Sequence, residues 1–222
     1  MTEVPRGRGS QASGKTTSVI DPRFVYLAAV LSVVGASSYI ASTLRGATMP
    51  NRVTWSLWGV EGILGFGVEI QQHIGLASIT TLMLGLMPCV VVLASFTSHH
   101  GVWRIATFDV VCGVIALLGI VSWALINEPT VALVSFVAAD QVAALPTIRK
   151  SWIAPTSESS KVFFLGALNC AITLLTLKQF TTAGALFPGC ILVTDLVLGV
   201  LIVSRVGPRM RGEPMTTTKA QA

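Results

Sequence analysis

The sequence predicts an all-α integral membrane protein. Seven transmembrane helices are arranged as 3+1+3, two parallel three-helix repeats joined by a linker helix. Three observations lead there. The chain is 52% hydrophobic and 11% charged, against about 25% charged in an ordinary soluble domain. Its apolar residues run in stretches of about 20, the helical length that crosses about 30 Å of hydrocarbon. A third observation is an internal echo: residues 145–163 lie over 40–58 after a shift of 105.

The elements follow in order. Residues 1–23 form a polar tail rich in Gly, Ser, Thr and charge, a composition that buries too little apolar surface to order itself. It contains GSQASGKT, from Gly9 to Thr16, which fits a phosphate-binding loop. That loop works between a strand and a helix; no strand precedes it here, so the stretch reads as flexible tail. The tail is also too long and polar for the start of a cleaved signal peptide. The first repeat, 24–96, holds spans at 24–44, 53–71 and 74–96. The linker helix is 105–126. The second repeat, 130–204, holds spans at 130–148, 161–178 and 183–204. Residues 205–222 form a second polar tail, also expected to be disordered. These spans are too continuously apolar to alternate as strands of a membrane barrel.

Basic residues set the orientation. The 1–2, 3–4 and 5–6 loops and the C-terminal tail carry ten Lys and Arg, among them Arg45, Arg104, Arg149 and Lys150; the other side carries five. Positive residues stay cytoplasmic. The N-terminus is therefore expected outside and the C-terminus inside. The net charge of +5 reads as topology and contact with anionic lipid, not nucleic-acid binding.

In the echo, Lys150 falls on Arg45, Pro155 on Pro50, Ser159 on Thr54 and Phe163 on Trp58. Each copy runs helix, basic kink, proline, small hydroxyl, next helix. Three crossings invert a directly following copy, and a fourth helix restores its direction; parallel repeats of this kind are a transporter plan.

The stretch ALPTIRKSWIAPTSES resembles the element that names the PQ-loop family, which includes SWEET sugar transporters and lysosomal amino-acid exporters. Pro146 stands in the family's proline position and Thr147 in that of its glutamine; the first repeat has Ala41 and Ser42 there. The stretch is also similar to a D…LPT-x-R-K…P-x-x-ES pattern of uncharacterised prokaryotic relatives. The resemblance implies a SWEET-like fold in a prokaryotic plasma membrane, a small-molecule solute as partner and association into a homo-oligomer.

At helical spacing every repeat span shows a small or polar stripe, the kind of face that meets a neighbouring helix or lines a cavity. Three stripes contain an acid: Glu61, Asp140 and Asp195. A carboxylate near the bilayer centre costs about 2.5–3.5 kcal/mol on insertion scales, and no Lys or Arg lies mid-span to pair with it. A proton or a wet cavity remains. Asp140 is therefore a candidate proton-coupling residue. Glu61, Asp195, Asn169 and Trp58 are candidate substrate-binding residues, and Pro146 is a candidate hinge that bends and breaks the fifth span. Asp109 and Glu69 read as interfacial.

Other chemistry is not expected. Cys89, Cys112, Cys170 and Cys190 lie in spans without C-x-x-C spacing, so neither disulfides nor a metal site is expected. His99 and His100 are adjacent and cannot both face one ion from a helix. A retinal protein needs a lysine in its last span, which has none; no cofactor is expected. Without an acid–base or nucleophile motif, the chain is not expected to be an enzyme. The expected function is a small-solute transporter, for a sugar, amino acid or similar metabolite, working by alternating access and coupled to protons. The alternative is a non-transporting receptor or adaptor on a SWEET-like fold, since fold alone does not decide function.

Overall fold

A computed structural model describes residues 18–71, 78–98, 103–126, 128–177, 180 and 182–212. Among these residues every regular element is helical: α1 (Val25–Leu44), α2 (Arg52–Gln71), α3 (Ser78–Thr97), α4 (Thr107–Leu125), α5 (Pro129–Ile153), α6 (Ser160–Thr176), α7 (Thr182–Ser204) and α8 (Val206–Met210). Short 3-10 turns occupy Pro22–Phe24 and Pro155–Ser157. The GSQASGKT stretch, His99, His100, Lys178 and residues 213–222 fall outside the described residues, as does the side chain of Glu69.

Among the described residues four helical stretches are long and apolar enough to cross a membrane: Pro22–Leu44, Ser78–Thr97, Thr107–Leu125 and Gly184–Ser204. The α6 helix is apolar but shorter. The α2 and α5 helices are diluted by ionisable residues, Arg52, Glu61 and Glu69 in one and Asp140, Arg149 and Lys150 in the other. The exposed surface is that of a membrane protein: α4 turns Val110, Val114, Leu117, Leu118 and Val121 outward, a face suited to hydrocarbon rather than water.

Helix ends are fixed by local polar chemistry. Gly46, at φ 74°, closes the end of α1 in the left-handed conformation that only glycine adopts without strain. Asn51 caps α2, its Oδ1 accepting from the N–H groups of Val53 (3.1 Å) and Thr54 (3.4 Å). Asp109 turns back at the start of α4 to accept from the Ala106 N–H at 3.0 Å. Glu128 accepts from Val131 N–H at 2.6 Å, and Pro129 opens α5 where a missing N–H has no consequence.

The α3 helix packs against both α1 and α2, and α7 against both α5 and α6. Across the molecule α1 meets α6 and α2 meets α5, while α4 lies on α5 and α2. Gly62 and Gly85 let α2 and α3 touch backbone to backbone; a Cβ on either would strike the other chain. Small residues at a crossing are how helices gain contact in lipid, where apolar burial alone brings little.

Two expectations are corrected. Pro146 does not break the helix it lies in: α5 runs through it to Ile153, beyond the expected end at 148. Proline removes only the N–H that would bond the Val142 carbonyl, and a helix packed on its neighbours tolerates that loss. Residues 205–212 are not disordered. Arg205, at φ 50°, turns the chain into α8, where Gly207 sits against Trp152 and Arg211 donates to the Ile153 carbonyl at 2.9 Å.

Candidate functional site

A cavity of about 100 Å³ lies among the helices, several times the volume one water needs. The first helix contributes Ser32 and Ala36; α2 contributes Trp55, Trp58, Glu61 and Gly62; α3 contributes Met83, Leu84, Met87 and Pro88. From the other half come Asp140 on α5, Val162, Phe163 and Gly166 on α6, and Phe187, Ile191 and Asp195 on α7. Four of the residues singled out in the sequence thus meet: Trp58, Glu61, Asp140 and Asp195.

Glu61 is 1% exposed, and neither carboxyl oxygen receives a conventional hydrogen bond among the described residues. Its polar neighbour is another acid: it faces the Asp140 carboxyl side chain to side chain. Asp140 accepts from the Gln141 amide at 2.8 Å. Gln141 in turn accepts from the Thr194 hydroxyl at 2.6 Å. A polar chain therefore runs from α7 through α5 to α2. Asp195 lies within electrostatic reach of Asp140 and fits because Gly166 leaves room. A Cβ on Gly166 would fall against its Oδ2. Gly166→Ala is accordingly expected to displace Asp195 and destabilise the protein by about 1–3 kcal/mol through overpacking. Thermal unfolding of the purified variant checks this, and an unchanged midpoint would contradict the placement.

Two candidates stand elsewhere. Asn169 is buried one layer behind the lining, where its amide donates to Ser32 across the α1–α6 contact. Its own carbonyl oxygens, backbone and side chain, accept from Thr173. It holds the wall of the cavity rather than forming it, because its amide is already committed to a neighbouring helix. Asn169→Ala is expected to cost about 1–2 kcal/mol of stability, a buried hydrogen bond, while solute affinity stays within twofold. A stability assay run beside a binding assay separates the two roles. Pro146 is buried within α5 and does not line the cavity.

The sequence reading missed a second site at the end of the bundle where the 1–2 and 5–6 connections meet. Lys150 and Glu158 form an ion pair at 2.7 Å with both side chains fully buried. Glu158 also accepts from the Tyr39 hydroxyl at 2.7 Å, and Lys150 donates to the Met49 carbonyl. The group clips the α1–α2 connection to the α5–α6 connection, and the backbone adds Met49 N–H to Ser157 O at 3.0 Å. Tyr39 stacks on Trp55, with ring centroids 4.6 Å apart, and Trp55 lines the cavity. One aromatic layer therefore separates cavity from clip. The signal was present in the R-K and E-S of the quoted pattern, where Lys150 served only to set topology.

No protein-family model matches this chain, no curated protein is significantly similar to it, and no solved structure matches it.

Proposed function

We propose that the protein is a small-solute transporter working by alternating access, with seven membrane helices in a 3+1+3 plan. The observation that carries this reading is the convergence of Glu61, Asp140 and Asp195, from three helices and both halves of the chain, on one cavity. The packing supports the repeat. Exchanging α1 for α5, α2 for α6 and α3 for α7 turns the α1–α3 contact into α5–α7, α2–α3 into α6–α7 and α1–α6 into α5–α2, all of which occur. Trp58 and Phe163, which share a position in the two copies, both line the cavity.

Two carboxyls side by side carry one charge far more easily than two. The Glu61–Asp140 pair therefore holds a proton when empty and releases it to water on the open side when a solute binds. The Lys150–Glu158–Tyr39 clip closes one end. With the N-terminus outside, as the basic residues suggest, that end is cytoplasmic, and breaking the clip opens the cavity inward. A receptor for an acidic tail would want a pocket lined by cations; no Lys or Arg is among the lining residues.

The test is purified protein in liposomes with an imposed pH gradient, screened against sugars, amino acids and small cations. Solute accumulation driven by the gradient, and lost in Asp140→Asn, is expected. A broad panel in which protein-containing and empty liposomes behave alike would remove the transport reading.

A further inference from the structure

We propose that the cavity takes a small organic ammonium ion with an apolar body, held among the carboxyls of Glu61, Asp140 and Asp195 and the indole of Trp58. The inference names a substrate class for the transporter reading and rests on it.

The argument starts from what the lining lacks. Glu61 is buried and its oxygens receive no conventional donor among the described residues. Such a group is expensive unless something supplies positive charge or a proton. Among the described residues no basic side chain lines the cavity, and the buried Lys150 is committed to Glu158. The ionisable groups facing Asp140 from the packed helices are Glu61 on α2, Asp195 on α7 and the Cys170 thiol on α6. None of them is a cation. A charge that satisfies the site must arrive with the ligand or as protons.

The rest of the lining argues against a sugar. Polyols are held by many alternating donors and acceptors, and amide side chains are well suited because they offer both. The nearby amide, Asn169, is spent on Ser32. The Ser32 hydroxyl, itself bonded to Asn169, and the Trp55 indole N–H are too few to hold a polyol, and most of the lining is apolar, Met83, Met87, Phe163, Phe187 and Ile191 among it. Thioethers and aromatic rings are polarizable, and the face of an indole attracts a desolvated ammonium. An apolar body carrying one N–H-bearing cation matches both parts of the wall. The size fits as well: about 100 Å³ is room for several water-sized groups at about 10–15 Å³ each, enough for a small organic amine.

The experiment uses full-length protein in detergent and isothermal titration with benzylamine, with benzyl alcohol as its neutral match and glucose as the polyol. Saturable benzylamine binding is expected, at least tenfold tighter than either control. Glu61→Gln, checked for folding by size-exclusion chromatography and circular dichroism, is expected to lose at least tenfold in benzylamine affinity. If Glu61→Gln does not fold, Asp195→Asn is read in its place with the same expected loss. Equal binding of benzyl alcohol, absence of benzylamine binding, or an acid variant with full affinity each overturns the inference. Flux in liposomes separates the two claims. Amine binding without flux leaves the ligand class standing and removes transport; gradient-driven flux of a neutral solute without amine binding does the reverse.

Discussion

Lys150→Met is expected to destabilise the protein by about 3–5 kcal/mol, because it leaves the Glu158 charge buried without its partner. At roughly 2–4 °C per kcal/mol for a chain of this size, the thermal midpoint should fall by about 10 °C. The loss comes from Glu158 left unpaired, more than from the ion pair itself. In the native state its two oxygens accept from Lys150 and Tyr39, and both of its neighbours are fully buried. Methionine fills the space of the lysine stem but donates nothing. The double variant Lys150→Met with Glu158→Gln should recover more than half of the loss. It removes the stranded charge while glutamine still offers an oxygen to the Tyr39 hydroxyl. Unfolding midpoints of the two variants in detergent test this. If the double variant is no more stable than the single one, the clip is not held by charge pairing. A functional readout accompanies it: a cysteine placed among the lining residues should become reactive to a membrane-impermeant thiol reagent from the clip side in Lys150→Met. Unchanged labelling would mean that the clip does not close the cavity.

The helices were legible in the sequence because the bilayer dictates them. A span must be apolar for about 20 residues, and that requirement is written in one dimension. The acids were legible for the converse reason: Glu61, Asp140 and Asp195 violate the rule and so mark themselves as functional or paired. Their convergence was not legible. Asp195 is placed by the absence of a side chain at Gly166, on the preceding helix, and that close approach is a property of the crossing rather than of either segment. The same holds for Asn169. Its residue type pointed to a binding site, but its bond to Ser32 depends on α1 and α6 being neighbours, 137 positions apart in the chain. Tyr39 and Glu158, 119 positions apart, lie equally beyond any local pattern. The continuation of α5 past Pro146 was not legible either, because helix breaking at proline is learned from isolated helices, whereas here Ala143, Ala144, Pro146 and Thr147 are buried against neighbouring helices.

Asp140→Asn is expected to reduce gradient-driven solute uptake at least tenfold, about 1.4 kcal/mol or more in the rate-determining step. The asparagine keeps the size of the side chain and its bond to Gln141, but it can neither give up a proton nor carry the charge. Uptake should then be insensitive to the imposed pH gradient, while exchange between solute pools on the two sides of the membrane persists. Glu61→Gln should give a similar loss. The informative variant is the double one. Residues that act as a unit are non-additive. If Glu61 and Asp140 share one proton, removing both acids should do little more damage than removing either. A double variant whose loss is the product of the single losses would show two independent sites and end the idea of a shared proton. Because α2 and α5 come from different halves of the chain, a change of charge on the pair would act on the contact between the halves. On the alternating-access reading that contact must also change when the cavity turns from one side to the other, so proton movement and reorientation would be coupled through it.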